Sequence, residues 1–163
     1  MVVKNHILTT IKKLDRLYNS TPVNEATYYS KLAIIELCGW IELSMDNIAE
    51  NFVNRYVKTA EFKKKFKQTK DKNNGFDYEN NFSKMLIQTI GLHNMEKVET
   101  IIVSPVELTI LKANLESLKK LRNDAAHTFI GTTTTYQAPS VTKSQLESIY
   151  PILKKIGIGI KGL

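Results

Sequence analysis

Ile34, Cys38, Ile41, Met45, Ile48 and Phe52 repeat at spacings of 4-3-4-3-4, and this seam constrains the fold more than any other feature. Apolar residues at that rhythm describe an α-helix with one buried face. The helix is predicted from about Glu25 to Val57, with Leu37, Trp40 and Ala49 widening the seam into a core-facing surface. Gly39 falls inside it, where glycine costs ~1 kcal/mol relative to alanine. A close helix crossing would account for that glycine.

The remaining segments read the same way. Ile7, Ile11, Leu14 and Tyr18 form one apolar stripe, interrupted by Asn19, Ser20, Thr21 and Pro22. A short helix is expected from about Asn81 to Ile90, with Phe82, Met85, Leu86 and Ile90 inward and Gly91 ending it. SPVE at 104–107 is a capping box with proline at the first helical position. Leu108, Leu111, Leu115 and Leu118 follow at 3-4-3, and the next position on that seam is Arg122. TKSQ at 142–145 reads as a second capping box opening a last helix through Ile149 and Leu153, after which GIGIKGL should fray. Residues 61–81 are basic, then rich in Asn, Asp and Gly, and read as a basic loop or partly ordered insertion. VETIIV at 98–103 has no second strand to pair with and reads as extended linker. HTFIGTTTTYQAPS reads as an irregular loop. The expectation is an all-α bundle of four to five helices forming a single domain over residues 1–163, with no internal repeat or composition break.

Composition narrows the function classes. No apolar run approaches the ~20 residues of a membrane span, and polar residues interrupt the N-terminus where a signal peptide would be apolar. The single cysteine, Cys38, excludes an internal disulfide framework and reads as a small core residue of a cytoplasmic protein. The net charge of +7 favours an anionic partner such as nucleic acid. Six lysines of that excess lie in residues 61–72, among them Lys63, Lys64 and Lys65. Lysines attract phosphate without reading bases, so the run would strengthen RNA binding without choosing a sequence, unless it is a solvated face.

The segment that carries chemistry is Arg122-Asn123-Asp124-Ala125-Ala126-His127. An arginine on an apolar seam must be paired or must face an interface or cavity. Five residues turn a helix by ~500°, leaving Arg122 and His127 roughly 140° apart. Either the helix ends near Ala126 and His127 swings back, or a second copy of the segment completes the site. Both arrangements place the pair at a helix C-terminus, where cationic groups are favoured.

RNDAAH resembles the R-x4-6-H signature of HEPN domains, including a polar residue after the arginine, here Asn123. The long helix, the later helix ending in RNDAAH and the APS-containing loop before a last helix extend the resemblance over about residues 25–155. The resemblance implies a bundle of four or five helices that dimerises with its two motifs facing each other. It also implies RNA cleavage without metal or cofactor, the ribose 2′-OH attacking the adjacent phosphate. His127 would then be the general base or acid, and Arg122 would hold the scissile phosphate. Asn123 would orient the histidine or bind phosphate, and Asp124 would support the site. A toxin or phage-defence effector follows, with an antitoxin or regulatory protein as a possible partner. One departure stands out. Where toxins paired with nucleotidyltransferase antitoxins carry a modifiable tyrosine, this chain has Phe129, although Tyr136 and other tyrosines remain.

Competing readings are specific. Arg122 and His127 would serve as an interhelical ion pair and a helix-capping histidine in a non-catalytic module that binds RNA or a partner. A nonspecific DNA-binding bundle is disfavoured, because no helix combines a recognition-type turn with base-reading residues. His6 and His93 stand alone, so no metal site is expected. Glu36 and Glu42 read as solvated or ion-paired carboxylates, and Thr132 to Thr135 as plain loop.

Overall fold

A computed structural model describes residues 2–128 and 135–163. The expectations attached to Phe129 and to Thr132 through Thr134 lie outside the described residues. Four long helices make the bundle: α1 (Asn5–Ser20), α2 (Val23–Tyr56), α6 (Pro105–His127) and α7 (Pro139–Gly159). Three shorter ones, α3 (Ala60–Lys72), α4 (Lys84–Ile90) and α5 (Leu92–Lys97), lie between α2 and α6. No strand occurs among the described residues. The fold is the expected all-α bundle.

The 34-residue α2 is the spine, in contact with α1, α3, α4, α6 and α7. Its seam is buried as the spacing requires, from Ile34 through Ile48, with Phe52 half-buried at the end. Ile7, Ile11 and Leu14 of α1, Leu111, Leu115 and Leu118 of α6, and Ile149, Leu153 and Ile156 of α7 complete a core running from Val2 to Ile160. Ser104 opens α6 with both halves of the capping box and Pro105 behind it.

Five local expectations are corrected. The basic stretch is not a loop over its whole length. Residues 60–72 form α3, which buries no side chain and is supported by a Glu61–Lys65 pair of 2.8 Å and by lysines in its last turn. VETIIV is not extended linker. It continues α5 as a wider π-type turn, Val98–Ile102, because Val98 and Val103 are both needed in the core. α7 begins at Pro139 rather than at Thr142. Thr142 is fully buried inside the helix, and its hydroxyl accepts a hydrogen bond from Gln137 Nε2 at 3.1 Å. The C-terminal tail is not frayed. Ile160 is buried and Tyr56 Oη donates to the Lys161 carbonyl at 2.7 Å. Gly39, finally, is not at a crossing within the chain: a Cβ built there meets nothing within 4 Å.

Candidate RNA-processing site

α6 runs antiparallel to α2. Two contacts set the alignment: the Cys38 thiol donates to the Leu118 carbonyl at 3.8 Å, and Lys31 Nζ donates to the Thr128 carbonyl at 2.8 Å. Arg122 therefore falls along the first half of α2, with its charge felt at Cys38. Burial pushes the Cys38 thiol up to about 12, and the nearby Arg122 lowers it by less than burial raises it. Cys38 is thus an inert core residue, as read from the sequence.

Arg122 is half-buried, its guanidinium 5.9 Å from the centre of the Phe76 ring. Phe76 itself is fully enclosed, so the arginine rests on a fixed platform. That platform comes from the Asn- and Gly-rich segment, which is folded tightly. Gly75, at φ +121°, donates its N–H to Glu42 Oε1 at 2.6 Å. The Asn81 side chain holds Asn73 and Asn74 from one side, and its Oδ1 accepts from the Asp77 N–H at 3.1 Å. Lys119, three residues before Arg122, pairs with Asp77 at 2.9 Å. The Asn80 backbone N–H and then Lys119 hold the Asp77 carboxyl below its ordinary range. Among the described residues, no carboxylate lies within ion-pair distance of Arg122.

α6 stays helical through His127. The imidazole therefore does not swing back, and in a regular helix it points ~140° away from Arg122. Asn123, Asp124, Ala126 and His127 are exposed, whereas Ala125 is fully buried against the core. Tyr136 Oη donates to the Asp124 carbonyl at 3.3 Å, adding a second tether to the end of α6. Lys31 and Phe76 are site-building residues that the sequence pattern does not single out, and Tyr136 stands in it only as a remaining tyrosine. Glu42, read as a solvated or ion-paired carboxylate, instead accepts from the Gly75 N–H and braces the platform; nothing in the sequence marks Lys31.

A family model described as RiboL-PSP-HEPN matches residues 4–162. The chain belongs to the HEPN family. Comparisons with curated proteins and with solved structures return no match. HEPN membership ties the chain to nuclease and RNA-related domains. Within this HEPN domain Lys63, Lys64 and Lys65 are exposed on α3, whose far end is held to α2 by a Lys70–Glu50 pair of 3.1 Å. From Lys64 to Asn73 the helix rises by roughly 13 Å, so the lysines stand off from the Phe76 platform rather than touching it. His6 lies beside α2 next to Glu36 and Gly39, apart from the motif. Among the described residues, no group of three His, Cys, Asp or Glu is arranged to hold a metal ion. No helix among them is long and apolar enough to cross a membrane.

Proposed function

We propose that this HEPN-domain protein is a metal-independent endoribonuclease working as a symmetric homodimer. Arg122 carries the reading. A guanidinium fixed at a core register position, over an enclosed ring and with no carboxylate partner among the described residues, is a cation reserved for an anion. Phosphate fits its planar fork.

In the reaction the 2′-OH loses its proton and its oxygen bonds to phosphorus, while the bond to the 5′ oxygen breaks. His127 serves as the proton acceptor or donor, since an imidazole can fill either role through its two ring nitrogens. Arg122 holds the phosphate and opposes the negative charge that builds on it. Asn123 orients the histidine or binds phosphate, and Asp124 supports them. Lys63, Lys64 and Lys65 of α3 add sequence-independent affinity. Because Arg122 and His127 diverge on one continuous helix, each site combines the motifs of two copies. The biological setting that suits such an enzyme is a toxin or phage-defence effector in the cytoplasm, with an antitoxin or regulatory protein as its control.

The test is cleavage of single-stranded RNA by purified protein in EDTA. The expected products carry a 2′,3′-cyclic phosphate and a 5′-OH, and a 2′-O-methyl group at the cut position should block the reaction. A second reading, a non-catalytic RNA- or partner-binding module, draws on the same divergence of Arg122 and His127 within one chain. Salt-sensitive RNA binding without any cleavage would select it.

A further inference from the structure

The face of α2 that turns away from the core carries a second apolar row. Tyr28, Leu32, Ile35, Gly39 and Leu43 follow at spacings of 4, 3, 4 and 4. Tyr28 is 54% exposed, Leu32 43%, Ile35 38% and Leu43 60%, so nothing among the described residues covers the row. A groove of about 450 Å³ runs alongside, lined by Ile7, Thr10, Ile35, Gly39, Trp40 and Leu43 among others. Glu36 and His6 line the groove beside Gly39, while the five residues of the row are themselves uncharged. Its next turn brings Asp46, where Lys70 and Asp71 of α3 already approach.

We infer that this row is the surface on which a second copy of the chain docks, with the α2 helices crossing at Gly39. The inference rests on the dimeric reading above and names the surface for it. Two observations favour a copy of this chain over an unrelated partner. First, Ile35 and Leu43 lie four residues to either side of Gly39. A two-fold axis through Gly39 sets each copy's Ile35 against the other's Leu43, the self-matching pattern an isologous interface requires. Rows spaced by four interlock when helices cross at about −50°, and a side chain absent at the crossing lets the backbones approach. Gly39 has that open space and no use for it inside the chain. Second, Cys38, the residue beside Gly39, donates to the Leu118 carbonyl, one helical turn before Arg122. An axis at Gly39 therefore places the two copies' Arg122 side chains on the flanks of one crossing, as a shared phosphate site needs.

The experiment is Gly39→Cys in the full chain, with sedimentation and RNA cleavage measured in parallel. A cysteine on the axis faces its own counterpart, within the ~4 Å Cβ separation a disulfide spans. Buried Cys38 is out of reach. Mild oxidation should link nearly all of the variant into dimers, whereas Ile158→Cys, exposed on α7, should stay unlinked. Leu43→Lys should weaken self-association by at least tenfold and leave the helical spectrum unchanged. A wild-type dimer whose Gly39→Cys variant does not link would overturn this surface and leave dimerisation standing. A monomer that still cleaves RNA would overturn the surface and the two-copy site together, but not the nuclease. A linked dimer that cleaves nothing would support the surface and count against the nuclease alone.

Discussion

Replacing Arg122 by alanine separates a catalytic arginine from a structural one, because the two roles differ in what the fold loses. In this structure the guanidinium rests over Phe76 at 5.9 Å and meets no carboxylate within ion-pair distance among the described residues. A contact of that kind contributes ~0.5–1 kcal/mol, and Arg→Ala is nearly neutral for the helix itself. The expected loss is therefore about 1 kcal/mol, or a fall of roughly 2–4 °C in melting temperature for a chain of this size. Breaking a buried ion pair would instead cost ~3–5 kcal/mol, and the melting point would fall by roughly 6–20 °C. Catalysis behaves differently. Removing a group that opposes charge on the reacting phosphate should lower kcat by a factor of ~10²–10³. Circular-dichroism melts and single-turnover cleavage of a fluorescent RNA in EDTA measure both quantities on one preparation. A variant that melts more than about 10 °C early, with activity lost only in proportion to unfolding, would refute the reasoning, since that drop exceeds what the Phe76 contact supplies.

Three further outcomes are expected. Changing Lys63, Lys64 and Lys65 together to serine should weaken RNA binding and flatten its salt dependence while sparing turnover, as titrations at two salt concentrations would show. Asp46 is raised to about 6, first by burial and then, against the pull of Lys70, by Glu42, Glu50 and Asp71. A carboxyl raised on folding favours the fold in its protonated form, an advantage complete below ~4 and lost as pH rises through the folded value. Asp46→Asn should accordingly gain stability over wild type between pH 4 and pH 8, by about 1 kcal/mol once solvent screening is allowed for, measured as paired melts. Gly159→Ala should destabilise the fold, because its Cβ would stand 2.5 Å from Cγ2 of the β-branched Ile102. Overpacking of ~1–3 kcal/mol outweighs the ~1 kcal/mol that alanine adds to helix propensity, and urea denaturation would give the balance.

What the sequence disclosed depended on whether burial left a period behind. The α2 seam, the Leu111-Leu115-Leu118 row and the Ser104 capping box are local patterns with local consequences, and all were readable. α3 was not, because Phe66 is its one apolar residue packed on the core and no side chain is fully buried, so no apolar period is written. Val98 to Ile102 has strand-like composition, yet packing against α6 and α7 overrides it. The register of Arg122 was legible and its surroundings were not, since Phe76 and the Glu42–Gly75 bond come from segments distant in the chain. The glycine at position 39 is unusual by sequence, but the crossing expected for it is absent among the described residues.

The end of α6 bears on whether its histidine is a cap or a reagent. A helix C-terminus leaves carbonyls to satisfy and a partial negative charge to offset, and a histidine in the last turn can serve both needs. Here other groups already do so. Lys31 reaches across from α2 to the Thr128 carbonyl, bringing a full positive charge to the end of the helix. The Thr128 N–H and the Tyr136 hydroxyl both donate to the Asp124 carbonyl. With Ala125 locked into the core two residues earlier, the backbone that carries His127 is fixed from three sides while its imidazole faces outward. Rigid backbone and exposed side chain is the combination that positioning a proton-transfer group calls for. A structural cap would show the reverse, an enclosed ring satisfying the carbonyls that Lys31 and Tyr136 have taken.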